Sequence, residues 1–258
     1  MKVVAIIPAR YASSRLKGKA LLTIADKSMI QHVYERAKKA SLVNNVIVAT
    51  DDKKIFDAVE GFAGKAAMTS IQHRTGTDRI AEVAAKMDAD IIINVQGDEP
   101  LIEPEMIDEA IRPLLQSSDI LMSTLKKKIT DEDELINPNI VKVVTDKEGF
   151  AIYFSRFPIP YVRAGSQKLV VSEANPSEVR SQKKDIHYKH IGLYVYRKDF
   201  LLKFAKMKPT PLEEAEKLEQ LRALENGYKI KVIETQYSSI GVDTQEDLER
   251  VRRIVSSK

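Results

Sequence analysis

Four cations crowd one short stretch near the start of the chain: Arg10, Arg15, Lys17 and Lys19, with Ser13, Ser14 and Gly18 among them. Arginine presents a flat fork of donors that matches phosphate oxygens, and lysine a mobile point charge, so the stretch suits a polyphosphate. A solvated basic turn is the ordinary fate of such a cluster. The residues ahead of it argue otherwise, because Val3-Val4-Ala5-Ile6-Ile7-Pro8-Ala9 is an unbroken apolar run rich in β-branched residues. Such a run reads as a strand buried on both faces, and α/β sheets bind ligands where strands of this kind end. Pro8, with no N–H to donate, is expected to end the ladder. Neither G-x-G-x-x-G nor G-x-x-x-x-G-K-[ST] occurs in the chain, which removes the main support for a dinucleotide-binding dehydrogenase or a P-loop ATPase. Side chains must therefore hold most of the phosphate charge.

Carboxylates supply the other half of the chemistry. Asp98 follows the strongly apolar Asp90–Val95 run and Gly97. Mg²⁺ is commonly held by one or two carboxylates plus substrate phosphates, so Asp98 opposite a cationic loop fits a metal-nucleotide site. It fits a helix cap ahead of Pro100 equally well. Asp243, in the turn Gly241-Val242-Asp243, reads by itself as turn chemistry, and alternation points Glu99 away from Asp98. Of the four histidines, His32 lies inside a helical pattern, His73 and His190 adjoin the loops of interest, and His187 lies in a charged segment. None has H-x-x-x-H spacing, so no zinc site is expected. With no cysteine in the chain, disulfides, thiolate sites and cysteine nucleophiles are excluded, in keeping with a cytoplasmic location. G-x-S-x-G is also absent.

These residues need elements to bring them together. Met29, Ile30, Val33, Tyr34 and Ala37 recur at helical spacing, which predicts a helix over Ser28–Ala40. Val46–Thr50 predicts a strand, and Asp51 or Asp52 a cap for the helix running to Phe62. Lys65–Met68 is a short strand; residues 69–79 form a polar loop entering a helix that runs to Met87; Asp90–Val95 is a buried strand. This alternation argues for βαβ units on a parallel sheet, with the loops at 10–19, 69–79 and 96–100 meeting at one edge. Further on, Met106–Leu115 is helical until Pro113 kinks or ends it. Ile120–Lys127, Val141–Asp146, Phe150–Arg156, His190–Tyr196 and Lys229–Glu234 read as strands, and Asp131–Glu134 as a solvated helix start. Pro211–Asn226 reads as one long helix closed by Gly227, and Thr244 to Asp247 as a capping box. Residues 158–189 lack periodicity and are expected to project as an arm from a single domain spanning 1–258.

The chain has 258 residues, 43% apolar and 30% charged, which is globular rather than disordered. No apolar run approaches the roughly 18 residues of a membrane span, so no membrane insertion is expected. The net charge of +4 is spread among 37 acids and there is no tryptophan, which favours a small anionic substrate over nucleic acid.

Six stretches, in order and across nearly the whole chain, carry a resemblance. They are Ile6–Leu16, Asn94–Pro100, Tyr153–Arg156, Lys189–Gly192, Leu218–Arg222 and Gly241–Thr244. Together they closely resemble the 3-deoxy-manno-octulosonate (Kdo) cytidylyltransferases. The resemblance implies a three-layer α/β/α sandwich on a mainly parallel mixed sheet, nucleotidyltransferase-like, with a small excursion used in homodimerisation. It implies transfer of a cytidylyl group from CTP to the anomeric hydroxyl of Kdo, giving CMP-Kdo and pyrophosphate for lipopolysaccharide synthesis. Arg10, Ser13, Arg15 and Lys19 would hold the CTP phosphates, and Arg79 would serve the nucleotide pocket. Gln96, Arg156, His190, Glu219 and Gln220 would surround the sugar acid, while Asp98 and Asp243 would bind Mg²⁺. In the family prolines usually flank the Gly-Lys pair; here Lys17 and Ala20 stand there, removing two constraints and adding one charge. Two other acceptors, a sialic acid and 8-amino-Kdo, stay open. From a different class, so does a non-catalytic nucleic-acid-binding module, which steep salt dependence of binding would reveal.

Overall fold

The computed structural model describes residues 1–12, 16–163 and 186–256. Ser13 and Arg15, and most of the expected arm, lie outside the described residues. The first half alternates strand and helix: β1 (Val3–Ala9), the short pair β2 (Thr23–Ile24) and β3 (Lys27–Ser28), α1 (Met29–Lys39), β4 (Asn45–Thr50), α2 (Lys53–Gly61), β5 (Ala66–Met68), α3 (Gly76–Ala85) and β6 (Ile91–Asn94). The second half contributes α4 (Pro104–Gln116), β7 (Met122–Lys128), α5 (Glu132–Ile136), β8 (Lys142–Thr145), β9 (Ala151–Ser155), β10 (Tyr188–Arg197), α6 (Lys198–Phe204), α7 (Pro211–Glu216), α8 (Leu221–Glu225), β11 (Lys231–Glu234) and α9 (Gln245–Ser256).

The main sheet runs β11-β7-β10-β6-β1-β4-β5, with β8 attached to β10 and β9 to β8. β1 pairs in parallel with β4 and β6, β4 with β5, and β7 with β11. β10 runs antiparallel between β6 and β7, so along that path it alone is reversed. The sheet is mixed but mainly parallel, and β1, β4 and β6 all end on one edge.

Why β1 carries no polar alternation is visible in its neighbours. Val3, Ala5 and Ile7 pack with residues of α1, α2 and α4 on one face, whereas Val4 and Ile6 pack with α3, α6 and α8 on the other. Fully burying a valine or isoleucine stabilises by about 1.5–3 kcal/mol, so a strand covered on both faces gains at every position. Those two faces are the three layers. A smaller cluster seats Leu248 and Val251 of α9 on Ile24, Met29, Leu101 and Val242, which anchors the C-terminal helix near Asp98.

Four expectations are corrected. β1 continues through Pro8, which pairs with Ala49. The Val95 N–H donates to Ile6 O at 3.2 Å, so even-numbered residues of β1 face β6, and that pairing ends at Ile6. The missing N–H of Pro8 thus falls where no partner strand remains. Nor does Pro113 end α4, which runs on to Gln116. An interior proline costs about 3 kcal/mol, less than is gained by burying Met106, Ile107, Ile111 and Leu114 completely.

The long helix expected over Pro211–Asn226 is instead two short ones, α7 and α8, split at Lys217, whose φ of 53° and ψ of 47° are left-handed. Local propensity favours helix there, but Arg156 captures the carbonyls that continuation would need, with Nε on Glu216 O at 2.7 Å and Nη2 on Lys217 O at 3.4 Å. Finally, Tyr188 and Lys189 belong to β10 rather than to the arm. Among the described residues no helix is long and apolar enough to cross a membrane.

Candidate active site

At the carboxyl edge of β1 and β6 lies a cleft of about 490 Å³, walled by Arg10, Lys19, Arg79, Gln96, Asp98 and Asp243 with Pro8, Ala9, Ala12, Ala20, Gly76 and Gly97. The small residues are there because backbone segments meet. A Cβ on Gly97 would stand 3.0 Å from Pro8 O, and one on Gly76 would stand 3.3 Å from Pro8 Cγ. A groove of equal volume at the β5 edge mixes Glu60, Lys65 and Lys86 with apolar side chains and holds none of the opening cations.

The loop after β1 closes on itself: Gly18 N–H donates to Tyr11 O at 3.1 Å, and Gly18 takes a left-handed φ of 67° to do so. Lys19 then opens a single 3₁₀ turn and sends its ammonium between two carboxylates, 2.6 Å from Asp98 Oδ2 and 2.9 Å from Asp243 Oδ1. Burial alone would lower the pKa of that ammonium, but the two aspartates outweigh it and hold the value above the ordinary one. Asp243 reaches this place because Val242 N–H donates to Asp98 O at 2.9 Å. The Thr244–Asp247 capping box then starts α9 directly behind it. Glu99 does not line the cleft; burial, and then the charge of Asp98, push its carboxyl up to about 7.

Arg79 borders the cleft yet is almost wholly buried. Its Nη2 donates to Asp51 at 2.9 Å and its Nη1 to the Thr69 hydroxyl. Asp52, not Asp51, caps α2, which leaves Asp51 for the arginine. His73 is paired with Glu82 at 2.7 Å and lies outside the cleft lining. His32 holds Ile24 O at 2.9 Å, a structural contact.

Beside the cleft is a second group of expected residues. Gln96 Nε2 donates to Gly192 O at 3.1 Å, where β10 shifts register between Ile191 and Tyr194. His190 contacts the rings of Phe154 and Tyr194 and sits 2.9 Å from Thr124 Oγ1; burial pushes its imidazole down to about 3. Glu219 and Gln220 fill the turn that the Lys217 break creates. Glu219 Oε1 and Gln220 Nε2 are buried with no hydrogen-bond partner among the described residues. The Arg156 side chain spends its donors on Glu216 O, Pro138 O and Lys217 O, so here it braces that turn. Thr77 and Thr124, which hold Glu219 and His190, carry no sequence signal. A lone threonine in an apolar or turn setting has no spacing to mark it.

The cleft therefore combines cations and paired carboxylates with a neighbouring polar turn. A family model described as cytidylyltransferase matches residues 4–230. The chain is 62% identical over 251 residues to the 3-deoxy-manno-octulosonate cytidylyltransferase of Geotalea uraniireducens (strain Rf4), covering 97% of this chain and 98% of that protein. With the enzyme of the same name from Geotalea daltonii (strain DSM 22248 / JCM 15807 / FRC-32) the identity is 61%, over 97% of each. The solved structure of CMP:2-keto-3-deoxy-manno-octonic acid synthetase complexed with CTP matches with a TM-score of 0.89 and 42% identity, covering 100% of this chain and 99% of that one. The fold is that of a cytidylyltransferase. Within that class, the chain belongs to the 3-deoxy-manno-octulosonate cytidylyltransferase family.

Proposed function

We propose that this chain transfers the cytidylyl group of CTP to the anomeric hydroxyl of Kdo, releasing pyrophosphate, with Mg²⁺ held by Asp98 and Asp243. The observation that carries the reading is the meeting of Arg10, Lys19, Asp98 and Asp243 in one cleft at the carboxyl edge of the parallel strands. Relatives of that name, similar over nearly their full length, support the same acceptor. Among the described residues no cluster of three metal-ligating side chains occurs, but Mg²⁺ needs only one or two carboxylates beside substrate phosphates. The donor set fits, since two carboxylate oxygens already share one positive charge. When bound, the metal neutralises phosphate charge and lowers the pKa of the attacking hydroxyl.

The remaining work falls to side chains. Arg10, with Ser13 and Arg15 of the same loop, grips the phosphates. Lys19 is released from the carboxylates and turns its charge to the phosphates, where negative charge grows as pyrophosphate departs. Arg79, held rigid by Asp51 and Thr69, supports the nucleotide pocket. Gln96, His190, Glu219 and Gln220 orient the sugar acid, and Arg156 braces the turn that carries Glu219 and Gln220. A neutral His190 positions hydroxyls without adding charge. The anomeric oxygen bonds to the α-phosphorus in line with the breaking bond to pyrophosphate, a step that depends on positioning and charge neutralisation.

We further propose that two copies pair through the face around β9, where Ile152, Phe157 and Tyr161 are 60%, 76% and 89% exposed. The reaction belongs in the cytoplasm, where CTP is held. Incubation with CTP, Mg²⁺ and Kdo, 8-amino-Kdo or a sialic acid, followed by pyrophosphate detection, tests the reading. Turnover with Kdo is expected; preference for a sialic acid would change the acceptor, and silence with all three would sink the activity.

A further inference from the structure

The first turn of α3 serves two places at once. Gly76 packs on Pro8 and, with Arg79, borders the nucleotide cleft. Thr75 and Asp78 clamp the turn reciprocally through bonds of 3.1 and 3.2 Å. Thr77 lies between them, 2% exposed, and its hydroxyl donates to Glu219 Oε2. Glu219 is steadied from the other side by Arg222 Nη2, 3.6 Å from Oε1, and Arg222 is itself fixed by Glu213, whose Oε2 accepts from Nε at 2.7 Å. One carboxylate oxygen is thus locked, while Oε1 is buried without a hydrogen-bond partner among the described residues. A buried acceptor left open is costly unless a donor arrives. The same turn leaves Gln220 Nε2 open as well, so two successive residues offer a buried acceptor and a buried donor.

We propose that Thr77 is a positioning residue for the acceptor: its hydroxyl locks one oxygen of Glu219 so that the other meets a hydroxyl of the sugar acid. This rests on the reading of Glu219 as part of the sugar-acid pocket. Because Thr77 shares its helical turn with Gly76 and Arg79, the acceptor contact is carried on the same rigid element as the nucleotide wall. Losing the Thr77 bond leaves the carboxylate held only by Thr75 and the Arg222 charge, so its open oxygen is less closely placed, and the effect falls on the sugar acid rather than on CTP. Burial raises the Glu219 pKa, and hydrogen bonds from Thr77 and Thr75 together with the Arg222 charge act against that rise.

The test compares Thr77→Val, which keeps shape and removes the donor, with Thr77→Ser, which keeps the donor. Expected for Thr77→Val is a KM for Kdo, or for whichever sugar acid the wild type uses, raised about tenfold or more. The KM for CTP should stay within about twofold, and Thr77→Ser should restore the acceptor KM. Equal rises in both KM values, or none, would overturn the proposal. A second readout needs no turnover: ¹³C-carboxyl NMR of Glu219 should show its titration midpoint rising in Thr77→Val and returning in Thr77→Ser. An unmoved midpoint overturns the locking bond. Loss of turnover by the wild type with every sugar acid, alongside a moved midpoint, would instead count against the proposed activity and leave the bond in place.

Discussion

Lys19 holds two carboxylates apart from each other's charge, and this shapes what the site does when empty and when loaded. With the ammonium 2.6 and 2.9 Å from Asp98 and Asp243, a divalent cation bound there as proposed would compete with Lys19 for the same oxygens. Lys19→Met should therefore bind Mn²⁺ more tightly than the wild type in the absence of nucleotide, as read by electron paramagnetic resonance. It should also lose about 10²-fold or more in turnover if Lys19 faces the departing pyrophosphate as proposed, because that cation is gone. Unchanged Mn²⁺ affinity would show that the lysine does not occupy the metal's place. His190 makes a prediction of the opposite kind. Its folded pKa of about 3 lies below the ordinary 6.5. Below pH 6.5 the unfolded chain takes up a proton that the folded chain refuses, so stability falls as pH falls from 6.5 toward 3 and is full above that window. The slope contributed by one such group is at most about 1.4 kcal/mol per pH unit. Melting temperatures between pH 4 and 7 should fall less steeply for His190→Gln than for the wild type; equal slopes would mean that His190 is charged in the folded protein.

The element that most changes the site is the break between α7 and α8. Lys217 sits at φ 53°, a conformation that costs a non-glycine residue roughly 1–2 kcal/mol, and Arg156 and Leu218 on either side hold it there. Lys217→Gly should keep the turn and stabilise slightly, by up to about 1 kcal/mol, since glycine adopts that conformation freely. Lys217→Val should cost about 1–3 kcal/mol in urea unfolding, because a β-branched residue is strained there. The same variant should raise the KM for the sugar acid much more than that for CTP, because the turn carries Glu219 and Gln220. A continuous helix, harmlessly accepted, would leave both KM values unchanged and refute the role given to the break.

At the scale of the whole molecule, the apolar side chains exposed around β9 among the described residues carry the proposed pairing. Phe157 and Tyr161 at 76% and 89% exposure contribute large rings to water, and covering them with a second copy would recover hydrophobic free energy. Light scattering at micromolar concentration should give the mass of two chains, and Phe157→Arg combined with Tyr161→Arg should give one. A wild-type monomer would remove the pairing while leaving the chemistry intact, since the cleft described above is lined by one chain.

The buried parallel core was legible from residues alone. An apolar run without alternation, as in Val3–Ala9 and Asp90–Val95, has few outcomes other than a strand covered on both sides, and the loops after such strands share an edge. Capping chemistry was equally local, and Asp52, Asp131 and the Thr244–Asp247 pair act where their side chains reach neighbouring N–H groups. The proline positions and the 211–226 segment were not legible, because their outcome depends on partners remote in sequence. Pro8 is tolerated only because β6 pairs no further than Ile6, Pro113 only because α4 buries a wide apolar face, and Lys217 only because Arg156 takes the carbonyls around it. The meeting of Asp98 with Asp243 was legible only through the resemblance. Taken alone, Asp98 fits a metal site or a helix cap and Asp243 fits turn chemistry; one backbone bond from Val242 to Asp98 and one shared ammonium bring the two together. Local chemistry reads from the order of residues, whereas a charge's counterpart is chosen by tertiary packing.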